Sequence, residues 1–217
     1  MEWSRVKNIL IVLLAIVNVF LFVVYIGTTV SDAKETEELL ENTVSVMQKN
    51  GIEISKKLIP INLPALYPAT ATPADTVLGT ACTDGYFSVP TEGTLSENLR
   101  KAGLESAAND GNTALLAVNG VPIYNAKLEC SGGNFTGFAV KDVKTVQNGE
   151  PYGICGLLVS AAQYLPKGTI TSITQGFVFT SSAEDEIYLL PVWRVEGENG
   201  VSLIDAMNGE KLDYLQK

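Results

Sequence analysis

The chain has 217 residues, with 15 Lys and Arg against 24 Asp and Glu, and it contains no histidine. A net charge of −9 argues against nucleic acid as a partner, because a phosphate backbone demands clustered cations. The missing histidine removes Ser-His-Asp and Cys-His catalysis, histidine-ligated zinc and a histidine phosphoacceptor.

A short basic head, Met1–Asn8, runs into Ile9–Ile26, which is apolar throughout except for Asn18. At about 1.5 Å per residue a helix over this run is roughly 27 Å long, close to the hydrocarbon thickness of a bilayer. Arg5 and Lys7 precede it, whereas Asp32, Glu35, Glu37, Glu38 and Glu41 follow, against Lys34 alone. The positive-inside rule therefore places 1–8 in the cytoplasm, 9–30 across the cell membrane as a single pass, and 31–217 outside. A cleaved secretory signal is the alternative. Its apolar core would be shorter, about 7–15 residues, and Ser31-Asp32-Ala33 is a mediocre cleavage match. Asn18, near mid-membrane, either bonds its own helix backbone or reaches a partner span. Ile9, Asn18 and Ile26 mark the expected anchor and its contact with such a span.

Setting aside Glu2, Arg5 and Lys7 leaves 13 basic and 23 acidic residues in 31–217, a net charge of −10. Cys82, Cys130 and Cys155 are widely separated and odd in number, with no CxxC for metal or redox work. One disulfide with a free thiol is one reading, and small buried hydrophobes are the favoured one, above all for Cys155. Asn134-Phe135-Thr136 matches a glycosylation sequon, a pattern short enough to arise by chance.

Asp32 with Glu35 has capping-box spacing and opens a helix over about 33–49, with Leu39, Leu40, Val44 and Met47 as its apolar stripe. Asn50-Gly51 closes it. A strand is expected through Ile52, Ile54 and Leu58-Ile59, then an extended Pro-punctuated segment at 60–73, as an edge strand or a connector. A hairpin turns at Thr83-Asp84-Gly85, and a helix is expected over Leu95–Ala108. Asn119-Gly120 turns Ala114–Val118 into Val121–Tyr124. Ser131-Gly132-Gly133 precedes a strand near Phe135–Val140, and without a following GK[ST] it is no phosphate cradle. Pro151 opens a helix with Ile154, Leu157, Leu158, Ala161 and Leu165 on one face, which Pro166 ends. The long β-rich run Thr169–Thr180 is followed by Ile187–Glu196, where Ile187, Leu189, Trp193 and Val195 alternate with Tyr188, Leu190, Val192 and Arg194. Pro191 implies an edge or a bulge there. Turns at Glu198-Asn199-Gly200 and Asn208-Gly209 complete an antiparallel meander with one helix against it. The pattern is α+β: a transmembrane helix, then an extracytoplasmic region of antiparallel sheets with packed helices. Helix-then-strands order recurs at 33–59 and 151–215, allowing two similar subdomains, 31–145 and 146–217.

The head Met1-Glu2-Trp3-Ser4-Arg5-Val6-Lys7-Asn8-Ile9, opening a single span, resembles the start of YycI-type proteins of low-GC Gram-positive bacteria. Lys49-Asn50-Gly51-Ile52-Glu53-Ile54 and Leu190-Pro191-Val192-Trp193-Arg194-Val195 suit that family too. Asp205-Ala206-Met207-Asn208-Gly209-Glu210 is similar to the terminal hairpin of PepSY-like modules. The likeness covers the two ends of the chain well and residues 60–150 poorly. It implies an accessory regulator, not an enzyme, working without a cofactor beside a YycH-type protein and a WalK (YycG) type sensor histidine kinase that controls cell-wall metabolism. The span would face the kinase and the outer region would bind the YycH-type partner. Arg194 either pairs with Glu196 or Asp205 across the hairpin or contacts that partner. A binding module for peptide or cell-wall fragments, with Trp193 or Tyr188 as platform, is the competing function. A hydrolase drawing two carboxylates from Asp84, Glu92 and Asp185 ranks last.

Overall fold

A computed structural model describes residues 14, 17–19, 21, 34–147, 149–181 and 186–213. The chain divides into two compact units, Met1–Thr43 and Val44–Lys217. In the first, residues 14, 17–19 and 21 are helical and exposed. The predicted span Ile9–Ile26 otherwise lies outside the described residues, and among those described no helix is long and apolar enough to cross a membrane. Helix α1 (34–49) contains the boundary between the units. It ends as expected: the Asn50 and Gly51 amides bond the Met47 and Gln48 carbonyls, and Gly51 takes φ +73°, a conformation costly for any residue with a Cβ. Met47 is fully buried, whereas Leu39, assigned to the apolar stripe, is exposed.

The second unit is α+β, with few helices and a large, mostly antiparallel sheet. Its strands are β1 (Ile52–Glu53), β2 (Ala69–Pro73), β3 (Thr76–Val77), β4 (Thr80–Ala81), β5 (Tyr86–Pro90), β6 (Glu105–Asn109) and β7 (Thr113–Val118). These are followed by β8 (Val121–Ser131), β9 (Asn134–Phe138), β10 (Val140–Thr145), β11 (Gly168–Ser181), β12 (Ile187–Gly197), β13 (Gly200–Asp205) and β14 (Lys211–Leu212). Helices α2 (Leu95–Ala102) and α3 (Ile154–Ala161) complete it. Twelve strands form one sheet whose main path runs β10-β2-β12-β11-β8-β7-β6, and β3 and β4 form a separate hairpin.

Length explains how one sheet holds so many strands. β12 pairs with β2 through Ile187–Leu189 and with β13 from Val192 onward, so one strand serves two neighbours on the same side. Pro191 sits at that handover. Its carbonyl accepts from the Ala206 amide on that same side, so the missing proline N–H falls where the neighbouring strand changes. Pairing with β11 continues unbroken through Phe177–Pro191, so the proline marks neither an edge nor a bulge.

The first strands of the two helix-then-strand segments lie side by side. β1 pairs in parallel with the start of β11, Ile52 opposite Gly168. Strands from both sides of residue 145 are interleaved, since β12 and β11 lie between β2 and β8, and β2 itself has β10 and β12 as neighbours. β2 is thus an interior strand rather than an edge, with Pro73 at its end. β10 is the edge, and its Lys141, Asp142 and Lys144 with a register break blunt it against further pairing.

Two local expectations are corrected. Leu58 belongs to a 3-10 turn, Lys56–Leu58, rather than to a strand. The helix expected to reach Ala108 stops at Ala102, because Gly103 adopts φ +67° and its amide bonds the Arg100 and Leu99 carbonyls. Thr94 and Glu97 form a reciprocal capping box at the other end. The Glu-Ser-Ala-Ala-Asn stretch after Gly103 then pairs with β7 despite its weak strand propensity, a tertiary override. The main core gathers Leu95 and Leu99 of α2 with Leu116, Ile123, Leu128, Phe135, Phe177 and Leu189.

Candidate interaction face

Alternation along β12 sends Trp193 and Arg194 to opposite faces. Trp193 is buried, as its alternation with Ile187, Leu189 and Val195 requires, so it is no binding platform. Arg194 lies between Thr174 of β11 and Leu203 of β13, on an interior strand rather than at a sheet edge. Its guanidinium pairs with the Glu196 carboxylate two residues along the same face. It also sits over the ring of Tyr124 from β8, 5.6 Å from the centroid, a cation–π contact.

Tyr124 is placed by a gap. A Cβ on Gly176 would lie 2.4 Å from the Tyr124 ring, so only glycine lets the tyrosine lie flat on β11. The phenol donates to Thr174 Oγ1 at 2.8 Å or to the Gln175 carbonyl at 3.0 Å. Burial pushes the Tyr124 phenol up, against the opposing pull of its bond to Thr174 and of Arg194.

Tyr124, Val178, Val192 and Leu203 form a second apolar cluster, separate from the main core, with half-buried Leu115, Leu190 and Leu212 against it. Val201 adds an exposed side chain on the same face of β13. At the far end Asp205 is buried, its Oδ1 accepting the Met207 amide at 2.7 Å and its backbone bonded to Glu210 and Gly209. Burial first, and Glu210 after it, raises the Asp205 carboxyl, against the lowering pull of the Met207 and Asn208 amides. Asp205 therefore builds the terminal turn and does not pair with Arg194. Tyr188, on the same face, is half-buried, its phenol raised by burial and then by Asp205.

The remaining expected residues do not converge. Ile9 and Ile26 lie outside the described residues, and Asn18 is helical and exposed. Asp84 lies in the turn before β5 and Glu92 in the loop before α2, while Asp185 is outside the described residues. Asp84 borders a cleft of about 530 Å³ with Asp75, Cys82, Lys141 and Asp142, where Lys141 is ion-paired to Asp75. Among the described residues no cluster of Cys, Asp and Glu could hold a metal ion. All three cysteines are free thiols; Cys155 is buried in α3, and Cys82 is raised by burial and then by Asp75. Asn134 is exposed at the start of β9, after the Gly132-Gly133 turn. Tyr124 was not singled out from sequence, because its role depends on Gly176, more than fifty residues away.

No family model matches the chain, and no curated protein matches it. Among solved structures, an uncharacterized protein from Eubacterium rectale ATCC 33656 is similar at 12% identity and a TM-score of 0.34. That likeness covers 54% of this chain and 53% of the other, about half of each. It assigns neither a fold family nor an activity.

Proposed function

We propose that this chain is a non-enzymatic, single-pass accessory subunit that modulates a cell-wall-controlling sensor histidine kinase of the WalK (YycG) type. Its N-terminus is cytoplasmic and the bulk of the chain lies outside the cell membrane. The span Ile9–Ile26, with Asn18, contacts the kinase, and the outer region binds a YycH-type protein. The likeness of the head and of the 190–195 and 205–210 segments to YycI-type proteins supports this reading. The structural observation that carries it furthest is the sheet face around Arg194 and Tyr124. An apolar cluster there keeps a half-buried rim of Leu115, Leu190 and Leu212 and sits on interior strands, a rigid surface suited to association. A span biases a two-state kinase only by packing differently against its two conformations, and that needs no catalytic group.

The test is to replace Ile9–Ile26 with an unrelated apolar span and measure kinase-dependent transcription. A changed output supports the reading, and an unchanged output reduces the span to a tether. A second reading, a binding module for peptide or cell-wall fragments, is favoured by a shallow cleft of about 330 Å³ beside Tyr124, lined also by Asn109, Asp110, Thr113 and Lys127.

A further inference from the structure

Residues 58–74 contain no charged side chain, although the chain as a whole carries −9. Within this stretch, residues 60–68 form a loop between the 3-10 turn Lys56–Leu58 and β2, punctuated by Pro60, Pro64 and Pro68. The loop is pinned at both ends, because Ile59 is buried before it and Leu66 packs against the main core. Between these points the chain projects. Ile61 and Leu63 are exposed by 37% and 49%, with Asn62, Pro64 and Ala65 exposed beside them.

The backbone of this tip asks little of water. Pro60, Pro64 and Pro68 have no N–H, and the Ile61 and Leu63 amides bond the Ile59 and Pro60 carbonyls at 3.0 and 3.4 Å. Few donors therefore lose hydration when the tip leaves water.

The base of the loop is cationic at both ends. Lys57 lies four residues before Ile61, in the turn that opens the loop. Lys144 arrives from β10: it pairs with Thr70, and the Val146 amide bonds the Pro68 carbonyl at 2.7 Å. Both lysines are exposed, and among the described residues neither has an ion-pair partner. Residues 42–74 hold a single acid, Glu53, against Lys49, Lys56 and Lys57. That stretch thus carries +2, and the remainder of the chain −11.

We propose that the 61–65 tip inserts into the interface of an anionic lipid bilayer, with Lys57 and Lys144 on the phosphate headgroups. An apolar tip above a cationic base reproduces the order of a bilayer surface, acyl chain first and phosphate outside it. Tyr67, half-buried at the foot of the loop, supplies an amphipathic ring of the kind favoured at that boundary. A groove on another protein fits less well, because two exposed aliphatic side chains fall far short of the roughly 800 Å² per partner of a stable complex. The negative charge elsewhere is repelled by the same lipid, so contact is confined to this loop. The proposal goes beyond the accessory reading and needs neither a kinase nor a partner span.

The test uses the full-length chain carrying Trp3→Phe, reconstituted into vesicles of phosphatidylcholine and phosphatidylglycerol. Leu63→Trp places a reporter at the tip, and lipid brominated high in the acyl chain quenches an indole at the interface. Trp193 is buried and contributes a constant background. The expected emission from position 63 is blue-shifted and quenched by the brominated lipid. Lys57→Glu combined with Lys144→Glu should weaken that quenching on the order of fivefold. An unchanged thermal unfolding of the combined variant shows that the loss is not misfolding. Emission unquenched at position 63, or indifferent to the two charge reversals, overturns the proposal. So does equal quenching in phosphatidylcholine alone, or equal quenching from Tyr86→Trp at the exposed Tyr86. The two readings fail separately. Protein that floats with the vesicles but is unquenched at position 63 removes the loop contact and leaves the accessory role standing. Quenching at position 63, with kinase-dependent transcription indifferent to replacement of the span, leaves the loop contact standing and removes the kinase reading.

Discussion

Gly176→Ala tests how the Arg194 face is built. The added Cβ would lie 2.4 and 2.8 Å from two Tyr124 ring carbons and 2.8 Å from the Pro122 carbonyl oxygen. β8 and β11 cannot separate freely there, because Ile123 and Phe177 pair beside the clash. The ring must therefore slide, stretching the phenol away from Thr174 Oγ1 and the Gln175 carbonyl. Loss of a hydrogen bond costs about 1 kcal/mol. Overpacking costs about 1–3 kcal/mol more. The lower chain entropy of alanine returns about 0.5–1 kcal/mol. The net expectation is a destabilisation of roughly 1–3 kcal/mol, which lowers a urea midpoint by on the order of 1 M. Urea unfolding of the full-length protein in mild detergent measures this through the fluorescence of buried Trp193, with Trp3 replaced by Phe. In a Tyr124→Ala background the cost of Gly176→Ala should largely vanish, because the group it strikes is gone. A midpoint for Gly176→Ala equal to or above the parent, or full additivity with Tyr124→Ala, would refute the arrangement.

Gly156→Ala carries the opposite sign: the site is open and helical, so thermal unfolding should show a gain of about 0.5–1 kcal/mol. Thr94→Ala removes the α2 cap and should cost about 1 kcal/mol by the same urea assay. Leu157→Ala empties a fully buried site and should cost about 2–5 kcal/mol. Asp205 sets a pH dependence. Its carboxyl is raised in the folded chain, so the folded state holds the proton more tightly and the associated stability is present below the unfolded carboxylate pKa. That stability is lost as pH rises through the folded value. Asp205→Asn keeps an oxygen for the Met207 amide and should flatten this segment of the stability–pH curve. An unchanged curve would assign it to other groups.

Local signals in the sequence are strongest where one or two residues decide the geometry. Asn119 and Gly120, both at positive φ, form the hairpin turn that their side chains favour, and Gly51 ends α1. The alternation through Ile187–Glu196 correctly buries Trp193 and separates it from Arg194. Pairings that depend on distant residues are hidden. Nothing near Ala69–Pro73 shows that it will lie between β10 and β12, and the Ala-rich stretch after Gly103 reads as helix until β7 supplies hydrogen bonds. Pro191 reads as an edge or a bulge because a proline lacks a donor, yet an interior strand tolerates it where its neighbour changes from β2 to β13. The face around Arg194 was half visible. Arg194 and Glu196 are two apart on one strand, as an in-face pair requires, but Tyr124 reaches them only because Gly176 leaves room.

Site-specific photocrosslinking from Asn18 of the full-length chain in native membranes tests the proposed accessory role most directly. The account predicts an adduct with a sensor histidine kinase, diminished when neighbouring residues of the Ile9–Ile26 segment are replaced by an unrelated apolar sequence. A chain that yields no membrane-protein adduct from that position, with kinase-dependent transcription indifferent to the replacement, would contradict it.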